Sequence, residues 1–250
     1  MSITGPGQDD APVKVGAPVT DITAGILAAM AAAAAYAGKQ KTGLGTRVDT
    51  SLFEAGITHT YWQSAIALAT GESPKALGSA HPLNAPYQAF ETADGYINIG
   101  AANQRKWLRL LDVIPAPELN DDPRFTNNAN RMAHLDDLVD VLNGYFRKKT
   151  SDVWLDELDV AGVPAGPILS IGEMLEHPQA LARDMIVETE HERLGAIKGL
   201  GMAVKFHGAE SIDSRPPPVH GQHTTEVLLE LGYSDSQIRE LYSAGVVYTS

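Results

Sequence analysis

Between residues 22 and 37 the chain holds no charge and no proline, and small or apolar residues fill most positions. That run predicts a helix buried over most of its surface, a core helix. Thr20 and Asp21 in front of it are N-cap types, so the helix is expected to start at Ile22 with a carboxylate at the positive end of its dipole. Gly38 and the lysines after it read as C-cap and turn, residues 46–52 alternate as a short strand, and residues 53–69 carry Phe53, Ile57, Tyr61 and Ile66 at helical spacing up to Gly71. Residues 1–17, rich in Gly and Pro, predict a segment lying across a surface.

From Gly71 to Pro86 the pattern dissolves into Gly, Ser, Pro and Asn, a predicted domain boundary. Residues 87–90 and 96–99 then alternate about Asp94-Gly95, a hairpin signal. Helices are expected at 103–113, 128–147 and 151–161, the last capped by Thr150 or Ser151. Residues 162–167 break the pattern. Short helices at 171–176 and 179–183, strands at 185–189 and 202–206, a stiff extended strap at Pro216-Pro217-Pro218, and helices at 224–231 and 235–243 complete the chain. Protease should cut first near residues 71–84 and 211–218.

Composition narrows the classes. A hydrophobic share of 44% and a charged share of 20% suit a soluble globular protein. The net charge of −12 argues against a nucleic-acid partner, because polyphosphate binders carry basic stripes. The absence of cysteine excludes disulfides and thiolate metal sites, and agrees with a cytoplasmic setting. The apolar run of residues 24–37 is shorter than the roughly 20 residues of a bilayer span, so no membrane role is expected.

Candidate chemistry is sparse. Of eight histidines only His220 and His223 lie close in sequence, with no carboxylate at helical spacing to complete a metal site, so no metal is expected. No Gly-x-Ser-x-Gly elbow occurs. Gly43-Leu44-Gly45 follows a helix and precedes a strand, the reverse of a dinucleotide-binding loop. Asp21 remains, an ordinary cap or a carboxylate poised to react.

Several ordered segments resemble the family III CoA-transferases, the carnitine and bile-acid group that includes formyl-CoA transferase-like enzymes. They are Gly16-Ala17-Pro18-Val19-Thr20-Asp21-Ile22-Thr23-Ala24-Gly25, the segment from Lys41 to Leu52, Thr92-Ala93-Asp94-Gly95-Tyr96-Ile97, Asp122-Pro123-Arg124-Phe125, Gly162-Val163-Pro164-Ala165-Gly166-Pro167, His177-Pro178-Gln179-Ala180 and Gly221-Gln222-His223-Thr224. One departure is Leu44-Gly45-Thr46, where relatives commonly have Arg-Gly-Gln.

The resemblance implies an α/β fold: an incomplete Rossmann-like large domain plus a smaller α+β domain, in a family of interlocked homodimers. Residues 1–75 would belong to the large domain, 76–190 to the small domain, and 191–250 would return to the large one. It implies that Asp21 is the nucleophile in CoA transfer between an acyl-CoA and a small carboxylic acid, with coenzyme A as substrate and no permanently bound cofactor. Gly78 and His81 fall where relatives place a loop over the active site. The resemblance further implies that the chain corresponds to the C-terminal part of such an enzyme, without the N-terminal CoA-binding half, so that alone it would bind CoA weakly and self-associate. Two alternatives stand beside this reading: an alpha-methylacyl-CoA racemase-like enzyme using the aspartate as acid and base, which solvent-deuterium uptake would reveal, and a non-catalytic chain or subunit.

Overall fold

The computed structural model describes residues 2–7, 10–208 and 215–248, and divides into two compact units, residues 1–168 and 169–250.

The first unit opens with α1, Val19–Thr42, which starts three residues earlier than the cap residues suggest. Pro18 stands at the N-cap with φ −77°, a value close to helical, and its carbonyl accepts the Ile22 N–H at 3.1 Å. A proline there sacrifices no helical donor, so the helix forms directly behind it and Asp21 becomes the third residue of the first turn, not the cap. Nor does α1 stop at Gly38. A glycine inside a helix costs only about 1 kcal/mol, and Lys39 and Lys41 lie in the last turn before Gly43, whose φ of 74° and N–H to the Lys39 carbonyl close the helix.

The expectation of a buried helix fails. No residue of α1 is buried, and Ile22, Ile26, Met30 and Tyr36 are all more than half exposed. At 24 residues α1 also exceeds the length assigned to the apolar run, and by length and composition it would be long enough to cross a bilayer. Its chief packing partner is α2, Leu52–Thr58, joined by Thr23 Oγ1 at 2.7 Å from His59 Nε2. The strand expected at 46–52 does not form. Arg47 pairs with Asp49 at 2.5 Å, and Ser51 caps α2 by accepting the Glu54 N–H, so the segment ends in a helix start where a strand partner would be needed. The expected helix at 53–69 is interrupted after α2 and resumes as α3, Tyr61–Thr70. At the break, Thr60 Oγ1 donates to the Ile57 carbonyl at 2.7 Å, the local competition by which threonine ends helices.

The hairpin is present as β1, Tyr87–Glu91, and β2, Tyr96–Gly100, with Tyr87 opposite Gly100. A third strand, β3, Ala165–Pro167, pairs antiparallel with β2 inside the stretch read only as a break. Helices α4, Gln104–Val113, α5, Asn128–Ala133, α6, Leu135–Phe146, and α7, Ser151–Val160, pack around this sheet, with a 3-10 turn at Pro117–Asn120. The single helix expected at 128–147 is divided at His134, because Asp136 and Asp137 favour a fresh helix start there. Phe90, Ile97, Ile99, Trp107, Leu110, Leu138, Leu142, Phe146 and Trp154 form the core. Phe146 lies between Phe90 and Trp154, with ring centres 5.2 and 5.1 Å away.

Two polar residues hold this body together. Arg131 is fully buried: its guanidinium donates to the Ala85 and Phe125 carbonyls at 2.7 and 2.9 Å and to Gln104 Oε1 at 3.0 Å, and lies over the Trp107 ring. Asp94, in the hairpin turn, caps α7 from outside it, accepting the Ser151 N–H at 2.8 Å; Thr150 at the cap position makes no side-chain bond. The Ser151 amide, with smaller help from the Ser151 and Thr92 hydroxyls, holds the Asp94 carboxyl below its ordinary pKa. A carboxyl depressed on folding adds stability that is complete above its unfolded pKa of about 3.9 and is lost as pH falls through the lower folded value. Asp94→Asn should therefore flatten the acid limb of the stability curve below about pH 4; acid unfolding followed by circular dichroism checks this.

The second unit contains α8, Ile171–Glu176, capped reciprocally by Ser170 and Glu173, and α9, Pro178–Ala182. A hairpin follows, β4, Ile186–His191, and β5, Gly195–Leu200. The second strand therefore precedes residues 202–206, where it was expected. His191 Nδ1 accepts the N–H groups of Arg193 and Leu194 at 3.1 and 3.2 Å, so the chain turns at once and pairs immediately. Helices α10, Thr224–Glu230, and α11, Asp235–Ser243, close the unit, the latter capped by Ser234 as expected. Part of the cleavage site expected at 211–218, residues 211–214, lies outside the described residues.

Candidate functional site

Asp21 stands where helix geometry leaves the first-turn amides without intrahelical acceptors, so the surroundings favour negative charge. The side chain is exposed and makes no ion pair among the described residues. Its Oδ2 accepts a hydrogen bond from Thr20 Oγ1 at 3.1 Å. Thr20 is in turn held from behind: a Cβ placed on Gly56 of α2 would lie 3.5 Å from the Thr20 methyl, so that methyl rests against a bare stretch of helix. As a β-branched residue Thr20 has few χ1 rotamers, which limits the positions its hydroxyl can take. The other oxygen carries no protein hydrogen bond among the described residues and is available for chemistry.

Asp21 lines a pocket of about 510 Å³ whose wall is the irregular segment in front of α1, Lys14, Val15, Gly16, Ala17 and Pro18, together with Val19 and Thr20 of its first turn and Thr4. The described residues among the first seventeen, 2–7 and 10–17, form no helix or strand and are mostly exposed, as their composition suggested. Val13 donates its N–H to the Thr4 carbonyl at 3.2 Å, and the Gly78 N–H donates to the Gly5 carbonyl at 2.9 Å. Gly78 has φ of 60°, and a Cβ there would come within 3.1 Å of the Pro6 carbonyl oxygen, so both conformation and close approach require glycine. The loop singled out at Gly78 is thereby tied to the same N-terminal segment that walls the Asp21 pocket.

His81 is oriented from three sides. Its ring stacks on Tyr87 at 5.1 Å and tilts against Trp62 at 5.5 Å, while its Nδ1 accepts the Leu83 N–H at 3.1 Å. An accepting Nδ1 leaves the proton of the neutral ring on Nε2. His81 does not line the Asp21 pocket. Lys14 does line it and was not singled out from the sequence, although it lies only seven positions ahead of Asp21.

The metal reading needs one correction: Glu226, at helical spacing from His223, does supply a carboxylate, and the two pair at 3.0 Å. His220 turns instead toward Tyr248. Among the described residues no group of three or more His, Cys, Asp or Glu gathers to hold a metal ion.

With helices over small antiparallel sheets the fold is α/β, and comparison with known proteins places it. The model of CoA-transferase family III matches residues 1–224, and the chain belongs to that family. It is 37% identical to the succinyl-CoA:glutarate CoA-transferase of Homo sapiens, a match covering 99% of this chain and 56% of that protein. It is 35% identical to the acetyl-CoA:oxalate CoA-transferase of Acetobacter aceti, over 83% of this chain and 52% of that protein. A crystal structure of a CAIB/BAIF family protein from Brucella suis shares the fold with a TM-score of 0.77 at 33% identity, covering 92% of this chain and 60% of that one. The chain thus spans little more than half the length of the curated relatives it matches.

Proposed function

We propose that the protein formed by this chain moves CoA between an acyl-CoA thioester and a small carboxylic acid, with Asp21 as the covalent nucleophile. The observation that carries the reading is an exposed carboxylate in the first turn of a helix, one oxygen of which accepts a hydrogen bond from Thr20, on a residue that lines a pocket of about 510 Å³. In the first step the free Asp21 oxygen attacks the thioester carbonyl, the C–S bond breaks, and a mixed anhydride and a CoA thiolate result. The thiolate then attacks the aspartyl carbonyl, releasing the donor acid and leaving an aspartyl-CoA thioester. The acceptor carboxylate attacks that thioester, expelling the thiolate and forming a second anhydride. Return of the thiolate to the acceptor carbonyl frees both Asp21 and the new acyl-CoA. Every bond made is matched by one broken, and no oxidant, metal or permanently bound cofactor enters.

The names of the relatives, which are CoA-transferases acting on succinyl-CoA with glutarate and acetyl-CoA with oxalate, support the reaction class. The same proposal treats residues 1–75 as part of a large domain that packs α1 within a cytoplasmic, homodimeric enzyme, with 76–190 as a small domain, 191–250 returning to the large one, and Gly78 and His81 in a loop near the substrate. Hydroxylamine added during turnover tests the chemistry, because it traps acyl-aspartate species as a hydroxamate. The modified residue should be Asp21; label on another carboxylate with Asp21 unmodified reassigns the nucleophile.

A further inference from the structure

The wall of the Asp21 pocket has a charge pattern that the transfer reaction by itself does not need. Apart from Asp21, its lining residues are Thr4, Val15, Gly16, Ala17, Pro18, Val19, Thr20 and Lys14, so the pocket holds one anion and one cation in an otherwise uncharged wall. Lys14 and Asp21 do not satisfy each other, because no ion pair between them occurs, and Lys14 pairs with no other carboxylate among the described residues. An ammonium left without a partner beside a reactive carboxylate is suited to a second anion brought by the ligand.

The electrostatic problem is specific. Asp21 attacks only when ionised, and a substrate with a spare carboxylate would set two negative charges in one small cavity, where like charges disfavour each other. A monocarboxylic acyl group creates no such conflict. A cation in the same cavity offsets the repulsion and rewards the spare carboxylate, which converts a penalty into a selection. Both relatives named above take a dicarboxylic acid as acceptor, glutarate in one and oxalate in the other, with succinyl-CoA and acetyl-CoA as the respective donors.

We propose that Lys14 determines specificity in this pocket by pairing with the non-reacting carboxylate of a dicarboxylic substrate while the other carboxylate, or its thioester, faces Asp21. This rests on the Asp21 reading of the preceding section. Lys14 takes no part in making or breaking bonds; it sets which acids are held.

The test compares glutarate with butyrate as CoA acceptor from one acyl-CoA donor, in the active enzyme and in its Lys14→Gln and Lys14→Arg variants. Lys14→Gln should lower the glutarate-to-butyrate ratio of kcat/KM by about tenfold or more, the loss of one charge-assisted contact, and act mainly through the KM for glutarate. Lys14→Arg should restore most of that ratio. An unchanged ratio in Lys14→Gln overturns the proposal, as does equal loss with both acids, which would mean a general structural role. If the unmodified enzyme transfers CoA to neither acid, the transfer reading itself fails. Titration calorimetry with glutarate then decides the site alone: binding weakened about tenfold in Lys14→Gln upholds it, and equal binding removes it.

Discussion

Asp21→Ala in the active enzyme should abolish CoA transfer, lowering turnover by about 10⁴-fold or more, as loss of a covalent nucleophile does. Stability should scarcely change. The residue is exposed, and because Pro18 occupies the cap position, what is lost is not a capping bond but the attraction of a first-turn carboxylate for the helix dipole, about 0.3–1 kcal/mol at a surface site. Steady-state kinetics and urea denaturation on the same preparation separate the two effects. Near-normal turnover would remove Asp21 from the mechanism. Lost turnover accompanied by a collapse of the urea midpoint would show that the residue serves the fold instead.

Arg131→Ala should have the largest effect on stability, on the order of 3–5 kcal/mol, comparable to breaking a buried ionic contact. The loss has two sources. The Ala85 and Phe125 carbonyls and Gln104 Oε1 lose their shared donor, each orphaned acceptor costing about 1–3 kcal/mol, and a void opens against Trp107. Part is offset because the guanidinium is itself strained by burial, which lowers its pKa to about 10 while leaving it charged at neutral pH. Arg131→Lys should recover little. A lysine ammonium cannot reach carbonyls on separate segments with the planar fork that joins them, so charge alone does not replace the geometry. Denaturant midpoints for both variants check this, and a lysine variant as stable as the parent would show that the fork is dispensable.

The small body around residues 85–163 was the most legible part of the chain. Its strands alternate, its turn is Asp-Gly, and Asn103, which caps α4, announces its helix by residue type. There local preference and tertiary packing agree, which is why pattern alone suffices. What escaped was decided by partners distant in sequence. Three residues rich in Gly and Pro form β3 because β2 offers an edge, and Asp94 caps a helix more than fifty positions away. At α1 the residue types misled twice. An uncharged alanine-rich run has no way to say whether anything covers it, and two excellent cap residues were displaced by a proline with no side-chain bond to offer. Asp21 was singled out by resemblance and by its place near a helix start, and although the helix begins three residues earlier it remains in the first turn. Lys14 went unnoticed because its segment has no periodicity, and only the folded path of the N-terminal segment brings it to the pocket.

The candidate nucleophile is carried on a helix with no buried residue, while the arginine-stapled body a few elements later has a closed core. Free energies of local opening follow such burial, so in this chain the amide protons of α1 should exchange with solvent faster than those of β2 and α6. In the proposed enzyme the large domain packs against this face, so protection of the α1 amides would report directly on that packing.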